Sequence, residues 1–202
     1  MTQLLWDVDT QIDFVDPLGK LAVPHALAAV PAMARLVAAA RAAGIPHVSS
    51  ADDHELTDAE ISETPDYTTT YPPHCLRGTR GAQKIAETAQ DDPVPLALTE
   101  VPGRWLEGRE FLLLKKSFDV FTNPNADPLL ELLDPDEVIV FGVATDVCDD
   151  AAIRGLLARG RAVTFVEEAS RGLDEARTAA CLAAWRESGV RFATVDEVTA
   201  GL

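Results

Sequence analysis

Positive charge is scarce in this sequence: 17 Lys and Arg stand against 33 Asp and Glu, a formal charge of −16 over 202 residues. Phosphate binding needs clustered cations that release counterions, so long nucleic acid and anionic membranes are disfavoured as partners. Cysteine is also sparse. Cys75, Cys148 and Cys181 form neither a CxxC pair nor an even set for disulfides. The opening MTQLLWDVDT lacks a basic stretch followed by an apolar one, and a reduced cytoplasmic protein is expected. The apolar runs at 111–118 and 137–144 fall short of the roughly 18–20 residues of a bilayer span, so no membrane segment is expected. Internal repeats and low-complexity tracts are missing too. What remains is 47% hydrophobic with a mean hydropathy of +0.03, which excludes a disordered acidic chain and suffices for one ordinary domain over residues 1–202. A small-molecule partner fits this balance.

Short apolar or β-branched runs recur at 4–9, 47–50, 111–114, 138–141, 162–166 and 191–195, the pattern of buried parallel strands. Helical patterns lie between them. In one, Pro31 suits the first turn and Gly44 the end; in another, Asp174 is the N-cap candidate and Gly189 the stop, with Cys181 on the core side. Strands alternating with helices predict an α/β domain, a three-layer α/β/α arrangement with a mostly parallel sheet of about six strands. Such sheets bind ligands beyond the carboxyl ends of their strands. The polar stretch 52–81, with Pro65, Pro72, Pro73, Gly78 and Gly81, is too long for an idle connection and is expected to build the site. The stretch 90–109 reads as an irregular excursion with one short strand near Leu96.

Cys148 follows the 138–141 strand and precedes the next helical pattern, so it stands at a strand-to-helix turn. Free N–H groups and the positive end of a helix stabilise a thiolate there. By residue type alone, Cys148 equally reads as a small buried hydrophobe. Asp9 ends a strand where apolar residues are preferred, and as a buried carboxylate it suits proton transfer to and from the thiol; the alternative makes Asp7, Asp9 and Asp13 loop caps or solvated charges. Lys115 and Lys116 end a further strand, where one of them can bring a cation to the same edge or both can simply reach solvent. Asp52 and His54 alternate on one extended segment, and His74 follows in the loop, a set suited to Zn²⁺, Fe²⁺ or Mn²⁺ or, alternatively, ordinary solvated histidines.

In combination, 9–14 (DTQIDF), Asp52-x-His54, 64–67 with 71–75, 115–121 and 142–148 (GVATDVC) make the chain resemble the isochorismatase-like cysteine hydrolases, and within them the nicotinamidase (pyrazinamidase) branch. The resemblance implies the isochorismatase-like hydrolase fold, with Asp9 as proton shuttle, Lys115 as its cationic partner and Cys148 as nucleophile. It implies a cis peptide between Val143 and Ala144, and an oxyanion hole of the Ala144 and Cys148 backbone N–H groups. Asp52, His54, Glu60 and His74 are implied to hold one divalent metal ion, zinc first, iron or manganese otherwise, which orients the pyridine nitrogen; Glu60 stands where a histidine is common. Phe14, Tyr71 and Phe118 are implied to line the substrate pocket. The implied activity is hydrolysis of nicotinamide through a Cys thioester, a step of NAD salvage. Asp149 and Asp150, just after the nucleophile, depart from the usual pattern; acidic groups there favour the helix dipole but raise a thiol pKa. Two alternatives stand beside this reading: a related enzyme acting on another small amide or ureido compound, and a non-catalytic binding protein on the same scaffold. A homo-oligomer is compatible with all three.

Overall fold

The computed structural model describes residues 2–99 and 109–202. Seven strands form one parallel sheet: β1 (Gln3–Val8), β2 (His47–Asp52), β3 (Val94–Leu96), β4 (Glu110–Lys115), β5 (Glu137–Val143), β6 (Ala162–Arg171) and β7 (Arg191–Phe192), in the spatial order β3-β4-β2-β1-β5-β6-β7. Six of these carry the expected runs. The seventh, β3, is three residues with Pro95 at its centre and ends on Leu96, where one short strand is expected. Residues 100–108 of the predicted 90–109 excursion, with Pro102 and Gly103, lie outside the described residues.

Alternation along the strands divides the core in two. Leu4, Trp6, Val8, Val138 and Val140 face α3 (Ala126–Leu133), α4 (Cys148–Ala158) and α5 (Glu175–Glu187), whose Trp185 stacks edge-on against Phe165 at 4.8 Å. Leu5, Ile139, Phe141 and Val143 face the short α1 (Ile12–Val15), α2 (Ala26–Ala43) and α6 (Val195–Gly201). Helices therefore cover both faces, which gives the expected three layers.

α2 departs from the sequence reading in two ways. It starts at Ala26, so Pro31 lies inside it rather than in its first turn. The bond that Pro31 cannot donate would go to Leu27, and both residues lie on the exposed side, where water replaces it. By length and composition alone this 18-residue helix also passes for a membrane span, an exception to the expectation above. Its inner stripe of Ala29, Met33, Leu36, Val37 and Ala40 packs instead on the sheet, and Gly44 closes it in the left-handed conformation. α5 keeps its predicted ends: the Asp174 carboxylate caps Arg177 N, and Gly189 follows the last turn.

The chain leaves β1 toward β2 on one side and returns to β5 on the other. A crevice opens at the carboxyl ends of strands where the order reverses in this way, here between β1 and β5. Asp9 follows β1 and Cys148 follows β5.

Candidate active site

Lys115 is the centre of the site. Its ammonium lies 2.8 Å from Asp9 Oδ2, 2.5 Å from Asp52 Oδ1 and 3.7 Å from Cys148 Sγ, and all four side chains are buried. The sheet explains the choice between the two lysines: Lys115 is the register partner of Asp52 across β2 and β4, so the two stand side by side at the strand ends. Lys116 points away and pairs with Asp58 at 2.7 Å.

Asp9 adopts a left-handed backbone, φ 49°, a conformation that costs a non-glycine residue roughly 1–2 kcal/mol and is retained only where the surroundings over-determine it. Several bonds hold it: Asp9 N donates to Ser50 O at 3.3 Å, Ser50 Oγ donates to Asp9 Oδ1 at 2.7 Å, and the Gln11 amide grips the backbone of Asp52 on both sides. On the β5 side, Gly142 lies against the Val8 carbonyl so closely that any side chain would collide with it. The Val143–Ala144 peptide is cis, as the resemblance implies. Val147 N and Asp149 N both donate to Ala144 O, whereas Ala144 N and Cys148 N donate to no backbone carbonyl among the described residues. α4 begins at Cys148, so its N–H is one of the free donors of a helix start.

Electrostatics match this layout. Burial raises the Asp9 pKa, Lys115 opposes that and the Asp52 charge adds to it; the net direction is upward. Burial also pushes the Cys148 thiol well up, against the pull of Lys115. Burial works against the Lys115 charge, yet Asp52 and Asp9 overcome it and hold the ammonium charged. Asp149 is wholly buried, and among the described residues neither oxygen has a well-formed hydrogen bond; burial, followed by the Asp9 charge, drives its pKa well up against a weaker pull from the Thr145 hydroxyl. The upward shift favours its neutral form and so lessens the negative charge beside the thiol. Asp150 pairs with Arg154 at 2.7 Å and accepts from Trp185 Nε1 at 2.8 Å.

Asp52, His54, Glu60 and His74 each offer one donor atom within 4.8 Å of the others, and all four are buried. Among the described residues Asp52 Oδ2 and His54 Nε2 have no hydrogen-bond partner, an expensive condition for buried polar atoms unless a further group lies between them. His74 Nδ1 lies 2.8 Å from Pro72 O, which leaves Nε2 free to face Asp52 at 3.4 Å. His54 Nδ1 faces Asp58 at 3.4 Å, and Asp58 is fixed in turn by Lys116 and Glu55 N. Carboxylate or carbonyl support behind an imidazole is the usual outer shell of a bound cation, so the residues fit a divalent metal ion. Glu60 divides its oxygens: Oε1 lies 3.9 Å from His54 Nε2, while Oε2 accepts from Phe118 N at 2.7 Å.

Between the donor set and Cys148 lies a narrow cavity of about 20 Å³, lined by Phe14, Leu21, Tyr71, Ala144, Val147 and Leu173. Of the predicted pocket residues Phe14 and Tyr71 are there. Phe118 is not: the Glu60 bond to its backbone turns it into an adjoining groove, shared with Tyr67, Phe121 and Arg177. Leu21, Val147 and Leu173 were not foreseen, since isolated apolar residues carry no signal in sequence. Asp58 was missed likewise, although its place four residues after His54 was a legible hint.

The isochorismatase domain family model matches residues 4–197. The chain belongs to the isochorismatase family. Within it, the chain is 30% identical over 189 residues to the nicotinamidase/pyrazinamidase of Mycobacterium tuberculosis, covering 92% of this chain and 95% of that protein. The fold of this family member superposes on pyrazinamidase of Pyrococcus horikoshii in complex with zinc with a TM-score of 0.75, at 20% identity over 96% of this chain and 99% of that one. It superposes equally on N-carbamoylsarcosine amidase from Thermoplasma acidophilum, TM-score 0.75 at 22% identity, covering 97% of this chain and 98% of that one. These two likenesses establish the isochorismatase-like fold.

Proposed function

We propose that this protein is a metal-containing cysteine amidohydrolase that converts nicotinamide to nicotinate and ammonia, with Asp9, Lys115 and Cys148 as its reacting residues. The observation that carries the reading is the Lys115 ammonium at 2.8 Å from Asp9 and 3.7 Å from Cys148, beside a narrow cavity that Phe14 and Tyr71 line and that opens between Cys148 and the Asp52, Glu60 and His74 side chains. The identity to a nicotinamidase/pyrazinamidase over 92% of the chain supports it.

In this mechanism Asp9 takes the Sγ proton, and the thiolate attacks the amide carbonyl. The Ala144 and Cys148 N–H groups receive the oxyanion. As the tetrahedral species collapses, the C–N bond breaks and Asp9 returns the proton to nitrogen, releasing ammonia. Water then attacks the thioester while Asp9 accepts its proton; the acid leaves, and the thiol is restored. A buried carboxyl with a raised pKa suits both directions of transfer. Lys115 holds Asp9 in line and balances the transient thiolate. Asp52, His54, Glu60 and His74 would hold the divalent ion, zinc by preference for this donor set. When bound, the ion supplies a Lewis-acidic anchor for a ring nitrogen. Phe14 and Tyr71 flank the ring.

The groove beside the cavity, with Tyr67, Phe118 and Arg177, favours one second reading: the same triad acting on a larger amide or ureido compound. Ammonia release from nicotinamide, measured before and after chelation and with Cys148→Ala, separates the two. Chelator-sensitive release that disappears in Cys148→Ala supports nicotinamidase activity. Absence of release from a metal-loaded protein whose Cys148 reacts with iodoacetamide favours the larger substrate.

A further inference from the structure

Two residues before Asp9, a buried polar cluster stands where core is expected, and it takes no part in the steps above. Asp7 is fully buried in the middle of the sheet. Its Oδ2 accepts from Lys84 Nζ at 2.9 Å and from Ser49 Oγ at 3.0 Å, and its Oδ1 accepts from Thr10 Oγ1 at 2.8 Å. Thr10 and Thr88 share a hydroxyl contact at 2.5 Å, and the His47 ring lies 3.8 Å from the same Asp7 oxygen. A buried ion pair is poor evidence of stabilisation, because desolvation offsets most of the attraction.

Its second set of bonds gives the cluster another purpose. Lys84 Nζ also donates to the Ser50 carbonyl at 3.2 Å. That same carbonyl accepts Asp9 N, and the Ser50 hydroxyl donates to Asp9 Oδ1. One serine thus transmits the Lys84 position to both the backbone and the carboxylate of Asp9. The segment around Lys84 also clamps the turn after Asp9: Ile12 N donates to Gln83 O at 2.8 Å, and Ile85 N donates to Thr10 O at 2.9 Å. Asp9 needs such restraint, since its left-handed φ of 49° is disfavoured for any residue with a side chain.

We propose that Lys84 and Asp7 form a positioning pair that acts through Ser50 to aim Asp9 at the reacting thiol. The proposal rests on the reading of Asp9 as proton carrier. Lys84 touches no substrate; it fixes the group that does.

Lys84→Met and the double variant Asp7→Asn/Lys84→Met test it, each loaded with zinc and compared with wild type for nicotinamide hydrolysis, melting temperature and the pH profile of Cys148 alkylation by iodoacetamide, resolved by peptide mass. Misplacing a proton carrier lowers turnover, so kcat in Lys84→Met is expected to fall about tenfold to hundredfold with KM within about twofold. The Cys148 alkylation profile is expected to move to higher pH. Removing both charges leaves no unpaired ion, so the double variant is expected to melt near the wild-type temperature while kcat stays low. A double variant with wild-type kcat, or a change in KM alone, overturns the proposal and leaves the pair as simple charge balance. If Lys84→Met does not fold, the double variant carries the test. If wild type does not hydrolyse nicotinamide, the substrate reading fails, and the alkylation profile still decides: an unmoved profile overturns the positioning role.

Discussion

Asp52 gives one carboxylate oxygen to Lys115 at 2.5 Å and turns the other toward His74 and His54 at 3.4 and 3.7 Å. Lys115, pulled by Asp52 and Asp9, stays charged, and Asp52 in turn is held well below the usual carboxylate range: burial opposes this, but Lys115 and the two histidines outweigh it. The ammonium of the reaction centre and the metal donor set therefore share one residue.

Removal of Lys115 is predicted to be costly to the fold as well as to the chemistry. Lys115→Met leaves Asp9 and Asp52 buried without their cation, and breaking a buried ion pair from one side typically costs about 3–5 kcal/mol. Urea denaturation is expected to show a loss in that range, and a loss under about 1 kcal/mol would contradict the assigned burial.

Glu60 is predicted to hold the ion directly through Oε1. Glu60→Gln keeps the volume and the acceptor for Phe118 N but removes the charge, and zinc affinity measured by calorimetry is expected to fall at least about tenfold. A cation that binds only the native state, at about a hundred times its Kd, adds about 2.7 kcal/mol. At about 2–4 °C per kcal/mol for a chain of this size, chelation is expected to lower the wild-type melting temperature by about 5–10 °C.

Asp149 is predicted to make the protein less stable as pH rises. Its folded pKa lies well above the usual 3.8, so the folded state binds the proton more tightly than the unfolded chain. That contribution is complete below about pH 4 and is lost as pH climbs through the raised folded value. Asp149→Asn does not titrate, so its stability relative to wild type is expected to improve as pH rises from about 5 toward the raised folded value in urea titrations. A constant difference across that range would show that Asp149 is ionised in the fold.

Much of the site was legible in the chain because parallel strands deliver their last residues to one edge. Asp9, Asp52, Lys115 and Cys148 each end a strand or follow one, and apolar runs locate strand ends well. The illegible parts depend on what faces what. Lys84 lies 77 positions from Asp7, in a segment without regular structure, and nothing local marks it as the partner of a buried carboxylate. Phe118 has the right chemistry for the pocket but is turned aside by one bond from its own backbone to Glu60. Pro31 inside α2 misleads because the packing of Ala29, Met33, Leu36 and Val37 on the sheet carries the helix through a residue that local preference would place at its start.

The segment between β2 and β3 supplies Glu60, Tyr71 and His74, tied down by isolated bridges from His54 to Leu76 and from Ile61 to Tyr71. The residues proposed to break the bond, Asp9, Lys115 and Cys148, sit instead at the carboxyl edge of the sheet. The loop and the sheet edge thus meet at Asp52, and both face the cavity, the loop through Tyr71 and His74 and the turn after β5 through Ala144 and Val147. A lineage can alter the part of this loop from Glu60 to His74 and change what the cavity admits, whereas Lys84, later in the same segment, is tied through the Ser50 carbonyl to Asp9 and is not free to drift.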